Sequence, residues 1–380
     1  MGPIGRVCSR CVMDTSDPEI RFDENGVCSH CTEFNSVTRR QWFPGSDGER
    51  RLHAILDDIK LAGRGKAYDC ILGLSGGIDS SYLALKTLEW GLRPLVVHVD
   101  AGWNSELAVA NIEKLVRHCG FDLHTHVINW EEMRDLQLAY LRAGVANQDV
   151  PQDHIFFSSL YHFAVRSKIR HILSGGNIAT EGVFPSSWHG SAMDAINLRA
   201  IHRRFGERPL RHYRTISFFE YYFWYPTVRR MRTVRPLNYI PYVKADALKE
   251  LVDSVGFKSY DRKHGESLFT KLFQNHYLPK RFGFDKRRPH LSSLIASGQL
   301  TRDEALSRLA EPLYHPLELQ NDLDYFCKKL RITLSEYEGF MSAPIRHYSE
   351  FANYDRRYRA LKRVQSLAQR LTGRRIANYS

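Results

Sequence analysis

An α/β fold built on a doubly wound parallel sheet, with a small metal module ahead of it and a helical region behind, is what this 380-residue chain predicts. Three observations carry the prediction. Short apolar runs alternate with stretches of helical periodicity from residue 48 onward. A turn rich in serine and glycine joins one apolar run to one helix. Two C-x-x-C pairs stand near the N-terminus.

Residues 48–62 space Leu52, Ile55, Leu56 and Ile59 as a helix and stop near Gly63. Cys70-Ile71-Leu72-Gly73-Leu74 reads as a buried parallel strand, with Leu83, Ala84, Leu85 and Leu88 on the helix that follows. Pro94 to Asp100 is a second buried strand. Residues 104–118 form the next helix, with Leu107, Val109, Ile112, Leu115 and Val116 apolar. His124 to Ile128 supplies a third strand and Trp130 to Leu141 another helix. Residues 155–167 are helical, and His171-Ile172-Leu173 runs as a strand into Ser174-Gly175-Gly176-Asn177. Such alternation implies parallel pairing through right-handed crossovers, and in these sheets ligands bind beyond the carboxyl ends of the strands. The candidates are therefore Ser75 to Ser80, Asp100 with Trp103, and Gly175 to Asn177.

The character changes beyond about residue 200. Residues 211–242 are crowded with aromatics (Phe218, Phe219, Tyr221, Tyr222, Phe223, Trp224, Tyr225) and arginines (Arg229, Arg230, Arg232, Arg235). Such interleaving suits stacked nucleobases or, equally, a half-buried helix with snorkelling arginines. Helices then dominate, over 244–255, 266–277, 291–297, 301–309, 316–330 and 354–371. The chain divides into a zinc-binding ribbon module over 1–40, an α/β domain over 48–243 and a helical substrate- or partner-binding region over 244–380.

Charge and composition narrow the function. The net charge of +12 suits a polyanionic partner, whether RNA, an anionic membrane face or an acidic nucleotide-linked substrate. No apolar run is long enough to span a membrane and no apolar leader opens the sequence, so a cytoplasmic location is expected.

The turn Ser75-Gly76-Gly77-Ile78-Asp79-Ser80-Ser81 is an anion site by construction. Its glycines let the backbone approach a ligand, and the helix N-terminus supplies free amides and a favourable dipole. It is not a Walker loop, which needs a Gly-Lys-Ser/Thr ending. The S-G-G-x-D-S run instead resembles the pyrophosphate loop of ATP pyrophosphatases, which cleave ATP between its α- and β-phosphates. That resemblance implies a fold like the adenine nucleotide α-hydrolases.

Cys8-x-x-Cys11 and Cys28-x-x-Cys31, separated by residues 12–27, have the spacing of a structural zinc site. Four thiolates close a tetrahedral ion and leave no open position, although another thiophilic metal or an iron–sulfur cluster fits the same ligands. His30 is read as a neighbour of the site, not a ligand. Asp23-Glu24-Asn25-Gly26 makes a hairpin turn between the pairs. Cys70, Cys119 and Cys327 read as ordinary buried thiols.

The runs Cys8 to Pro18, Phe22 to Cys28, His98 to Asn104, Gln148 to Asp153, Ser174 to Asn177, Lys263 to Ser267 and Phe282 to Ile295, with the pyrophosphate loop, resemble the N-acetyl sugar amidotransferases of the WbpG and PseA type. The resemblance implies an ATP- and Mg²⁺-dependent reaction in which the N-acetyl group of a nucleotide sugar becomes an acetamidine. Ser75, Gly76, Gly77, Ile78 and Ser80 are then expected on the pyrophosphate. Asp79 is expected on Mg²⁺, and Asp100, Trp103, Gly175, Gly176 and Asn177 at the nucleotide or its adenylated product. With Asp79 and Ser80 as catalytic groups, Asp153 and Glu266 are candidate acid/base residues, though either can equally pair an arginine. Lys263, His264, Arg281, Lys286, Arg287, Arg288 and His290 are candidates for the anions of the sugar nucleotide, against a solvated basic surface. No cysteine has a glutaminase context, so ammonia is expected from a separate glutaminase subunit with a cyclase-like channel subunit. These partners would be similar to the two halves of the histidine-pathway glutamine amidotransferase. The competing class is a tRNA-modifying enzyme with the same loop, of the thiolation or lysidine type.

Overall fold

The computed structural model describes residues 5–188, 190–260 and 265–372. After the first helix α1 (Ser29–Ser36), the chain forms α2 (Ser46–Gly63), β1 (Cys70–Gly73), α3 (Ile78–Glu89), β2 (Pro94–Asp100) and α4 (Glu106–Cys119). Next come β3 (Asp122–Val127), α5 (Trp130–Ala143), α6 (Val150–Arg166), β4 (His171–Leu173), α7 (Ile178–Glu181), α8 (Ala195–Phe205) and β5 (Arg232–Val234). The remainder is helical: α9 (Lys244–Val255), α10 (Leu268–Leu272), α11 (Leu278–Phe282), α12 (Arg287–Ala296), α13 (Arg302–Ala310), α14 (Pro316–Leu330), α15 (Leu334–Ser342) and α16 (Asp355–Thr372).

The five strands form one sheet in the order β3-β2-β1-β4-β5, every neighbour parallel. Alternate side chains explain why both faces are covered. Ile71, Leu95, Val97, Val99 and Ile172 meet Met133, Leu136, Ile155 and Ile201 from α5, α6 and α8. Cys70, Leu72, Val96 and Leu173 meet Leu56, Ile59, Leu83, Leu115 and Leu251 from α2, α3, α4 and α9. The expected doubly wound sheet is therefore present. The sequence places α9 at the head of the helical region, yet it packs on α3 against this sheet.

The one strand the sequence does not announce is β5. β5 is three residues long and carries exposed Arg232 and Thr233, because as an edge strand it pairs only with β4. In the aromatic segment, residues Glu220–Val228 form a π-helical stretch. Its aromatics divide between two environments: Tyr221 and Tyr225 pack on Tyr161, with ring centroids 5.7 and 5.0 Å away, whereas Phe219 is 61% exposed. Among the described residues no helix is long and apolar enough to cross a membrane.

The N-terminal module is pinned to the helical region. The hairpin turn over residues 23–26 forms as expected, with Gly26 at φ +76° and Phe22 bridging Cys28. Val12 N–H donates to Ser292 Oγ at 3.3 Å, and Arg288 donates to Val12 O at 2.7 Å while pairing with Asp14 at 3.0 Å. Arg302 donates to the carbonyls of Cys8 (3.0 and 3.2 Å) and Cys11 (3.2 Å). Replacing Arg302 by Ala strands two knuckle carbonyls. The expected loss is about 1–3 kcal/mol of stability, measured by denaturant unfolding of the metal-loaded protein.

Candidate functional site

The central strand β1 delivers its chain directly into the glycine turn. Ser75 and Ser80 close the turn on itself: their Oγ atoms are 3.0 Å apart, Ser75 N–H donates to Ser80 Oγ at 3.3 Å, and Ser80 Oγ donates to Gly77 O at 3.2 Å. Gly76 sits at φ +85°, a region in which a side chain is strained. Helix α3 begins at Ile78 with no side-chain cap, so the amides of its first turn have no intrahelical acceptor. A phosphate chain placed there meets those amides, the dipole and two hydroxyls.

Two tyrosines hold this turn from outside it. Tyr260 Oη donates to Gly76 O at 2.8 Å, and Tyr242 Oη donates to Asp79 Oδ1. Burial, then the Asp79 charge, raises the Tyr242 phenol well above its ordinary range, so it stays a donor. Neither tyrosine stands out as a candidate in the sequence, although Tyr242 closes the aromatic segment 211–242.

The exit of β4 approaches the same turn. A Cβ on Gly175 would lie 2.8 Å from Ser80 N and 2.9 Å from the Asp79 carbonyl carbon. Only glycine permits this contact. Asn177 is buried and caps α7 through Thr180 N–H at 3.0 Å, and its Nδ2 donates to Gly175 O at 3.2 Å. Asn177 thus shapes the turn. A Cβ on Gly176 would meet the side chains of Glu181 (3.7 Å), not singled out from the sequence, and Arg235 (3.8 Å), named there only within the basic and aromatic segment.

The start of α6 and the start of α12 bring Asp149, Asp153 and Lys286 into one electrostatic group with Glu181. Burial, then the neighbouring Asp149, pushes the Asp153 carboxyl up to about 8, against the opposing pull of Lys286. Burial lowers Lys286, although Asp149, Asp153 and Glu181 all favour its charged form. An acid held protonated beside a lysine with weakened affinity for its proton can pass protons near neutral pH. Glu266 reaches the loop from the other side: a Cβ on Gly77 would lie 3.4 Å from Glu266 Oε1, and Glu266 O accepts from Ser105 N–H at 2.9 Å.

Several expected ligand contacts take other partners. Trp103 does not face the nucleotide site. It is 2% exposed, packed among Trp130, Phe269 and Phe326, and donates to Gln137 Oε1 at 3.0 Å. The turn after β2 swings it there: Asp100 Oδ1 accepts Gly102 N–H at 2.7 Å and Asn104 Nδ2 at 3.1 Å, with Gly102 at φ +84°. Asp100 is thereby committed to the turn. Arg281 binds the carbonyls of Phe340, Ala343 and Pro344, and Arg287 binds Asp285 and the carbonyls of Arg308, Leu309 and Glu311. With Arg288 on the N-terminal module, all three arginines tie segments together in place of a substrate anion. His290 is half-buried on α12. Lys263 and His264 lie outside the described residues.

Cys8, Cys11, Cys28 and Cys31 are buried, with all four sulfurs within 4.8 Å of one another. The Sγ separations of 3.6 Å (Cys11–Cys28) and 4.0 Å (Cys8–Cys31) suit a tetrahedral ion with Zn–S near 2.3 Å. Amides of Arg10 and Cys28 point at Cys8 Sγ, at 3.3 and 3.2 Å, and lend the dipoles a thiolate needs. His30 bonds Asp17 at 2.6 Å instead.

Strand order, turn and close glycine contact define a pyrophosphate-loop α/β protein. Residues 266–365 match the family described as the C-terminal domain of WbpG-like LPS biosynthesis proteins. No curated protein matches the chain. Among solved structures it is similar to the NMN synthetase of Francisella tularensis, at 13% identity over 76% of this chain and 96% of the other, with a TM-score of 0.38. The NAD+ synthetase of Burkholderia pseudomallei shares 15% identity over 60% of this chain and 100% of the other (TM-score 0.29). The NH3-dependent NAD synthetase of Campylobacter jejuni shares 13% over 41% and 72% (TM-score 0.29).

Two outcomes follow from the geometry. Gly175→Ala drives a methyl into the Ser80 backbone, which cannot yield. ATP affinity is expected to fall at least about tenfold by direct titration, while the four-cysteine site keeps its metal. Asp153 binds a proton in the folded state that it has lost when unfolded between about pH 4 and 8, so its contribution to stability falls as pH rises through that window. Thermal melts of wild type against Asp153→Asn are expected to show wild type losing ground from pH 5 to pH 8.

Proposed function

We propose that this protein is an ATP-dependent, AMP-forming amidotransferase acting on the N-acetyl group of a nucleotide sugar. The expected substrate is UDP-2,3-diacetamido-2,3-dideoxy-mannuronate, the product its acetamidine, and the setting lipopolysaccharide O-antigen synthesis in the cytoplasm. The observation that carries this reading is the meeting of the WbpG-like segment with the pyrophosphate loop, where Glu266 stands beside Gly77.

The chemistry fits what the residues offer. An amide carbon resists ammonia because its oxygen is a poor leaving group. Attack of that oxygen on the α-phosphate of ATP breaks the α–β bond and releases pyrophosphate. The amides of Gly76, Gly77 and Ile78 and the hydroxyls of Ser75 and Ser80 take up its charge. Mg²⁺, which neutralises phosphate charge, would be held by Asp79, whose Oδ1 is oriented by Tyr242. Ammonia then adds to the activated carbon, AMP leaves, and the surplus proton passes to the Lys286–Asp153 pair. Glu266, beside Gly77, would accept a proton on the loop side.

Ammonia is expected from outside this chain. Burial pushes the single thiols up, Cys119 and Cys327 to about 11, and Cys70 higher still. None is a ready nucleophile. A glutaminase subunit with a cyclase-like channel subunit is the proposed source, and the metal of the four cysteines, zinc by its ligands, is proposed as structural.

Exposed Phe219, Phe223 and Trp224 near Arg229 and Arg230 favour a second reading, an RNA substrate. One assay separates the two. With Mg-ATP and ammonium, AMP and pyrophosphate release is expected to depend on the diacetamido sugar nucleotide and to give a product one mass unit lighter. Release driven by bulk tRNA and not by the sugar would overturn the amidotransferase reading.

A further inference from the structure

We propose that a cavity beside the acidic group, between the α5–α6 turn, the loop at Trp188 and the segment 345–348, receives the acylated-sugar end of the substrate; this rests on the function proposed above. The cavity holds about 210 Å³, more than ten times the roughly 10–15 Å³ that one water needs. Val145, Ala146, Val150, Phe282 and Ile345 give it apolar walls.

Two side chains of its lining carry polar atoms without partners. Tyr140 Oη and Trp188 Nε1 make no hydrogen bond, although the residues are 1% and 2% exposed. Native interiors rarely leave such donors unpaired, because the desolvation is uncompensated. Trp188 is held in place by Phe284, stacked at 4.6 Å and 4°. Burial and nearby Asp194 raise the Tyr140 phenol well above its ordinary range, so it remains a donor.

The lining also has a polarity. Arg346 and His347 contribute to it, and none of the described lining residues is acidic. The set therefore admits a ligand with acceptor oxygens and excludes a cation. An acetamido group matches the interior: its carbonyl takes the Tyr140 and Trp188 donors, and its methyl rests on Val145, Ala146 or Val150.

Position supports the assignment. Asn147 and Val150 on the wall belong to the turn that supplies Asp149, and Phe284 lies two residues before Lys286. A diacetamido sugar with one acyl group seated here brings its other acyl group to the edge of the Asp149–Asp153–Lys286 group.

Calorimetric titration with UDP-N-acetylglucosamine, UDP-glucose and UDP tests this, with ATP titrated separately. The proteins compared are wild type, Tyr140→Phe and Ala146→Leu. Because the Tyr140 hydroxyl has no partner, its removal is expected to leave the melting temperature unchanged or raised. Wild type is expected to prefer the acetamido sugar. Tyr140→Phe is expected to lose about tenfold of that affinity, and Ala146→Leu, which fills the cavity, to lose the preference altogether, with ATP binding kept in both. An undiminished preference in both variants would overturn the cavity assignment and leave the proposed function standing. Wild-type protein that binds ATP but shows no acetamido preference would overturn both.

Discussion

The approach of Gly175 to the backbone of Ser80 is the contact on which the site depends. In the order β3-β2-β1-β4-β5, the chain turns one way from β1 to β2 and the other way to reach β4. The crevice between β1 and β4 is the place where neighbouring crossovers diverge and leave room for a ligand. Gly175 brings the β4 exit against the start of α3, closing the floor of that crevice. With that floor fixed, Asn177 and α7 carry Glu181 to the rim, and the loop amides remain at the open end. A larger residue at 175 would push the β4 exit away from the start of α3.

The second constraint is the placement of the helical region. Residues 266–268 hydrogen-bond to the exit of β2, through Ser105 to Glu266 and Leu268 to Trp103. This is why Trp103 is a core residue: it is the apolar anchor for α10 and α14, with Lys329 over its ring at 5.0 Å. The arginines of α12 and α13 then bind the N-terminal module, so the first and last thirds of the chain brace one another around the sheet. The four-cysteine module is thus tied by hydrogen bonds to α12, the helix that follows Lys286, and to α13.

What the sequence made legible was what is contiguous. The loop from Ser75 to Ser80, the cysteine pairs, and strands such as Pro94 to Asp100 announce themselves because neighbours in sequence do one job. β5 escapes notice because an edge strand of three residues needs no apolar run. Tyr242 and Tyr260 at the loop, and Glu181 beside Gly176, escape because only the tertiary fold carries them there. The basic run from Arg281 to Arg288 shows the limit most clearly. Sequence alone gives an arginine the same appearance whether it meets a substrate phosphate or a backbone carbonyl, and in Arg281 and Arg287 the carbonyls are what it meets. Lys286, between them, is the one drawn into the acidic group.

The tyrosines that hold the loop have a temporal consequence. Tyr242 and Tyr260 lie more than 160 residues after the residues they fix, Asp79 and Gly76. A ribosome therefore completes the phosphate-binding motif long before it supplies the groups that set its shape. The nascent chain can pair β1 with β2 and β4, but the loop stays unbraced until the segment beyond β5 has emerged and folded back. The shape of the loop is thus complete only when the segment beyond β5 is at hand, so a half-made chain carries the motif without its geometry.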